Sequence, residues 1–137
     1  VRKAGSTMSG VALLAALFAS APPASAQQEN WRESSSSGEQ RAFIDASSIR
    51  RDGNFVRFWR EVRSSQPSQV GDMSFDVMGS LMEVDCQART LRNLEVYVKL
   101  GDAIIAREQG DGVVEPVRPG STADIDLRAA CFNEWPR

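Results

Sequence analysis

The chain has 137 residues, with 16 basic and 18 acidic side chains, a net charge of −2 and no histidine. That balance argues against nucleic acid as a partner, since such binding calls for a basic surface. Without histidine there is no Ser-His or Cys-His catalysis, and the commonest zinc ligand is missing.

Residues 1–26 read as a secretory signal. Arg2 and Lys3 form a positive start, residues 11–19 an apolar run, and Ala24-Ser25-Ala26 a small-residue cleavage site. The apolar run is too short to cross a bilayer as a mature helix. No cysteine follows it to carry a lipid, and no arginine pair precedes it, so general secretion is expected, to the periplasm or beyond. The mature chain, 27–137, is then one domain with no membrane span. It keeps 14 basic residues, with Lys99 the only lysine, against 18 acidic ones, a net charge of −4. Its two cysteines, Cys86 and Cys131, most simply form one disulfide in an oxidising compartment. A domain of this length has a modest core, so such a staple matters.

In chain order, residues 29–34 read as a first short strand holding Trp31. The serine run 34–37 with Gly38 reads as a turn. Residues 41–45 are a second strand. Asp45 is placed to cap one helical turn over 46–49, and Asp52-Gly53 is a turn signal. Residues 55–62, FVRFWREV, form the clearest strand. Phe55, Arg57, Trp59 and Glu61 share one face; Val56, Phe58, Arg60 and Val62 share the other. Both faces carry aromatics, which marks a central strand and leaves open which face is buried. Residues 64–72 read as a loop, with Pro67 and Gly71 as breakers.

Residues 74–85 form a fourth strand, on which Cys86 points the way of Met82 and Val84. Residues 90–100 alternate as a fifth, with Leu94, Val96, Val98 and Leu100 on one side. Residues 103–112 fit either a strand turn or a flexible link. Residues 113–117 make a short sixth strand, placed at an edge by Pro116. The chain then turns at Pro119-Gly120 into a helix. Ser121 is its N-cap, with Asp124 three residues on as a capping-box acid. Asp124 and Asp126 both suit the positive end of the helix dipole. Ala123, Leu127, Ala130 and Cys131 fall on one helix face. Both sulfurs therefore belong to the same interior layer.

The succession Ala42-Phe43-Ile44-Asp45-Ala46-Ser47-Ser48-Ile49-Arg50-Arg51, then Gly53-Asn54 and Val56-Arg57-Phe58-Trp59, resembles the bacterial surface-adhesin protein E-like family. So do Ser80-Leu81-Met82-Glu83-Val84-Asp85-Cys86 and the closing Pro119-Gly120-Ser121 with a helix ending in Cys131. The resemblance implies an α+β fold: an antiparallel sheet of about six strands, with a C-terminal helix packed on one face and linked to it by Cys86–Cys131. The family takes its name from an outer-membrane adhesin that binds host matrix proteins, a role that does not pass between proteins by fold alone.

Several residues carry candidate chemistry. Glu83 and Asp85 share a strand face and could do acid–base work or bind a cation, or simply pair with Arg89 and Arg92 across strands. Residues 41–63 carry a net +3 and residues 102–126 a net −4. That asymmetry could steer an acidic partner or align two copies as a homodimer, or be an ordinary solvated surface. Arg51-Asp52-Gly53 is not the Arg-Gly-Asp order of adhesion motifs. Phe55, Arg57 and Trp59 form either a contact patch or, for the aromatics, part of the core. No catalytic residue, metal ligand or cofactor is expected. The reading is an exported, non-enzymatic protein that binds a macromolecule, adhesin-like, with an unidentified protein partner. The alternative is a small-ligand or lipid carrier that uses the concavity between sheet and helix.

Overall fold

The structure, a computed structural model, describes residues 28–137. The expected signal segment lies outside the described residues. Among the described residues there are eight strands and one α-helix. The strands are β1 (Trp31–Ser37), β2 (Gln40–Asp45), β3 (Arg50–Asp52), β4 (Phe55–Val70), β5 (Met73–Asp85), β6 (Thr90–Leu100), β7 (Ala103–Gln109) and β8 (Glu115–Pro116). The helix α1 spans Thr122–Phe132. All strand pairs are antiparallel, in the order β1-β2-β4-β5-β6-β7, with β3 on β4 and β8 on β6. The expected class holds, with eight strands in place of about six.

β4 organises the sheet. β2 pairs with its middle and β3 with its start, so two short strands share one long neighbour. The chain steps between them through a 3-10 turn at Ala46–Ser48, capped by Asp45, whose carboxylate accepts from the Ser47 N–H. The step leaves a gap in the ladder, and Ser48 Oγ fills it by accepting the Trp59 N–H at 2.9 Å. A part-buried backbone donor that the ladder leaves without a strand partner is thereby satisfied.

The helix settles which side of β4 is interior. Val56 and Phe58 are fully buried beneath it, as are Ile44 and Val84, with Met82 beside them and Leu127 of the helix packed against the set. Cys86 and Cys131 are joined by a disulfide spanning 45 residues, with Cα atoms 5.8 Å apart. Ser121 caps the helix through the Asp124 N–H as expected. The Asp124 carboxylate, however, reaches back to the Gly120 N–H rather than to the N-cap itself. It also pairs with Arg89. The Gly120 N–H is the chief cause holding the Asp124 carboxyl below its usual range, with Arg89 adding to it against the opposing effect of burial. Asn133 ends the helix in the left-handed conformation, its N–H bonded to the Ala129 carbonyl.

Three expectations change, and the open alternative at 103–112 is settled. The serine run is not a turn but most of β1. Its backbone pairs with β2, and Ser34 is buried with its hydroxyl on the Ala42 carbonyl. Residues 64–70 continue β4 instead of looping. Pairing with β5 lapses after Arg63 and resumes at Ser68, so Pro67 sits where no ladder donor is needed. Residues 103–109 form an edge strand, β7. Asp126 does not serve the helix dipole at the surface; it is buried and bonded to Arg60 of β4.

Candidate binding face

The face of the sheet away from α1 is built from the odd residues of β4 and their partners. Register places them in cross-strand rows. Arg50, Arg57, Glu83 and Arg92 form one row over β3, β4, β5 and β6. Beside it lies Asp52, Phe55, Asp85 and Thr90. Further along, Trp59 stands opposite Leu81. Beyond it Phe43, Glu61, Gly79, Tyr97 and Arg107 line up across five strands.

The far end of this face is internally satisfied. Glu61 is 2% exposed although it lies on the face away from α1. Its carboxylate accepts from Tyr97 Oη at 2.6 Å, Lys99 Nζ at 2.8 Å and Arg63 Nε at 2.9 Å. Arg63 in turn lies over the Phe43 ring at 4.2 Å. Tyr97 reaches Glu61 by laying its ring across Gly79, where a Cβ would meet the ring at 2.0 Å. Trp59 packs against the same ring, with centroids 5.4 Å apart. Burial raises the Tyr97 pKa first and the Glu61 carboxylate raises it further, so the phenol stays protonated and donates. We expect Gly79→Ala to displace Tyr97, strip Glu61 of a donor and cost about 1–3 kcal/mol. An unchanged urea midpoint with an intact near-UV signal would contradict this.

Glu61 and Glu83 also predict a pH dependence. For each, burial pushes the carboxyl up, but bonded cations outweigh it: Lys99 and Arg63 with Tyr97 at Glu61, Arg57 and Arg92 at Glu83. Both folded pKa values lie below the ordinary 4.5. The unfolded chain therefore binds more protons in acid. Stability from these groups is complete above about pH 4.5 and is lost as pH falls through the lower folded values. Thermal midpoints between pH 7 and 3 should fall in acid, and less steeply in Glu61→Gln. Equal acid slopes for the two proteins would exclude Glu61 as a contributor.

The near end is open. Phe55 is 47% exposed. Two shallow grooves of about 420 and 320 Å³ meet at its ring. The first is rimmed by arginines; the second is partly apolar, with Leu91 and Val114. Glu83 is buried in the floor, bonded to Arg57 Nε at 2.6 Å and Arg92 Nε at 2.8 Å. The suggested Glu83–Asp85 pair divides its work. Glu83 takes Arg92 as expected, but Arg89 goes to Asp124. Asp85 accepts the Gln87 and Ala88 N–H groups and shapes the β5–β6 reversal.

The structure thus places Phe55, Arg57 and Trp59 on one face, with Phe55 exposed and Trp59 half-buried against Tyr97. The concavity between sheet and helix, which a carrier would need, is filled by the core side chains. Sequence reasoning overlooked Glu61 and Tyr97 as partners. The available signal was Gly79, a glycine inside a strand, which marks a close approach.

Residues 31–132 match the family model described as surface-adhesin protein E. The chain belongs to that family. The match runs from the first residue of β1 to the last residue of α1, so the surface-adhesin protein E region takes in the whole sheet, the disulfide and the open face. No curated protein and no solved structure matches the chain. No helix among the described residues is long and apolar enough to cross a membrane.

Proposed function

We propose that this protein is an exported, non-enzymatic, adhesin-like binding domain, residues 27–137, released from a signal at 1–26. It holds a macromolecular partner on the sheet face away from the helix, at Phe55, Arg57 and Trp59. The observation that carries this reading is the exposed Phe55 at the meeting of two grooves, on the one sheet face that α1 leaves uncovered. An exposed aromatic beside arginines is the composition of an interface anchor. Family membership points the same way, and the filled sheet–helix interior favours a surface binder over a carrier.

The test is capture of the mature domain on immobilised envelope and extracellular-matrix fractions. Phe55→Ala should weaken capture by about tenfold, on the order of 1.4 kcal/mol. Ile104→Ala, an exposed apolar change on β7, should leave capture unchanged. Equal retention of the Phe55 variant and the unaltered domain would remove this face from the function.

A further inference from the structure

β7 ends the sheet, and no strand among the described residues pairs with its outer edge. All seven of its residues are exposed, Ile104 at 48% and Ile105 at 42%. Sheets guard such an edge with lysine, proline or an inward-pointing charge. Residues 103–106, Ala-Ile-Ile-Ala, hold none of these. The segment is also its own complement. Asp102-Ala103-Ile104-Ile105-Ala106-Arg107, laid antiparallel on a second copy, sets Asp102 against Arg107, alanine against alanine and isoleucine against isoleucine. Asp102 is exposed in the turn between β6 and β7 and has no side-chain partner among the described residues. Arg107 bonds Glu95 of its own copy through Nη1, which leaves other donors of the guanidinium for a second carboxylate.

A bulge lets this register work. When a two-fold axis relates antiparallel edge strands, residues that oppose each other must come from the same face of each copy. In a regular strand Asp102 and Arg107 would fall on opposite faces. In β7, however, Val98 pairs with Ala106 but Lys99 with Ile104, so Ile105 is an extra residue and the alternation shifts there. Ile104 and Arg107 therefore share the face of Lys99 and Tyr97, and Ala103 and Ala106 share the other. Asp102, one step before Ala103, comes to the face of Arg107. Sliding the copies to set Ile104 against Arg107 keeps the faces but pairs no opposite charges. We infer that β7 is a self-pairing edge, on which two copies of this chain join antiparallel with Asp102 on Arg107 at both ends and the isoleucines between. The contact closes on itself and stops at a dimer. It is far smaller than the roughly 20–30 residues a side of a stable interface, so it is weak, with a dissociation constant on the order of 0.1 mM. This dimer is independent of the docking reading: β5 and β6 separate β7 from β4, and the Phe55 face stays uncovered. Capture at nanomolar protein sees the monomer, so the neutrality expected there of Ile104→Ala is undisturbed.

Sedimentation equilibrium of the mature protein, from about 0.01 to about 1 mM, tests this. The unaltered chain should follow a monomer–dimer equilibrium. Asp102→Arg and Arg107→Asp each set like charges together at both ends of the contact, and each should weaken the dimer about tenfold. An equimolar mixture of the two variants has opposite charges at both ends again, and should dimerise as the unaltered chain does. Near-UV circular dichroism checks the fold of each variant, since the Arg107 guanidinium lies 5.5 Å from the centre of the Tyr97 ring. Should Arg107→Asp fail to fold, Ile105→Asp takes its place as a single variant with the same loss expected. A monomer across the whole range overturns the proposal. So do single variants that dimerise unchanged, a mixture no tighter than its components, or species larger than a dimer.

Discussion

Replacing both cysteines, Cys86→Ala with Cys131→Ala, should lower stability by about 4 kcal/mol, as the chain-entropy model gives for a 45-residue loop. The linkage closes a loop that begins just after β5 and contains all of β6, β7 and β8, and nearly all of α1. Without it the unfolded chain regains that freedom, while the folded chain keeps the rest of the core. The helix has other attachments: Arg60 to Asp126, Arg89 to Asp124, and Arg51 to the Cys131 carbonyl at 2.6 Å. The fold should therefore survive as a weaker version of itself. Urea unfolding of the double variant against the oxidised protein measures the difference. A midpoint that does not move would mean that the polar attachments alone fix the helix.

The second large effect concerns one of those attachments. Arg60 donates to Asp126 at 2.5 Å, with the two side chains 20% and 5% exposed, and the second Asp126 oxygen has no protein partner among the described residues. Arg60→Ala should cost about 3–5 kcal/mol, because it leaves a buried carboxylate uncompensated. Replacing both members, Arg60→Met with Asp126→Leu, should restore stability and can exceed the original, since the pair's desolvation is then removed as well. The contrast between single and double replacement decides the matter. If the single change costs less than about 1 kcal/mol, the pair behaves as an exposed ion pair would, and the buried assignment fails.

The elements that the sequence made legible share one property: a strong local period. The alternation of residues 55–62, the Met82–Val84–Cys86 side of β5 and the spacing of Leu127 to Cys131 each predict a face without knowledge of the partner. Together they place the disulfide. Ser121 and Asp45 declare themselves as caps because a cap is also local. What escaped depends on distant strands. The serines of β1 have loop composition, and only pairing with β2 makes them a strand. The end of β4 reads as a loop because Pro67 and Gly71 signal breaks, yet β5 folds back along it. Leu94 illustrates a third limit. The register of β6 slips between Asn93 and Glu95, so the face carrying Leu91 before the slip carries Val96 and Val98 after it. Strict alternation across the whole strand therefore could not hold. At the proposed binding face, Phe55, Arg57 and Trp59 were legible as a set. The exposure of Phe55 was not, because it follows from which side α1 covers. The Glu61–Tyr97 bond joins strands 36 residues apart and is visible only once Gly79 lies between them.

The position of the helix after all the strands also sets an order of events. A polypeptide that emerges amino end first presents Cys86 with no thiol to meet until 45 more residues have followed. Until then Phe58, Val56 and Ile44 have no cover from α1, and β1, which the helix also touches, is pinned on one side only. The nascent sheet stays pliable until α1 has followed it, and then locks in a single step. Loss of even the last turn of α1 would remove Cys131 and leave the apolar side of the sheet bare. A stop codon before Cys131 should therefore yield not a shortened domain but a sticky one, prone to self-association and to proteolysis.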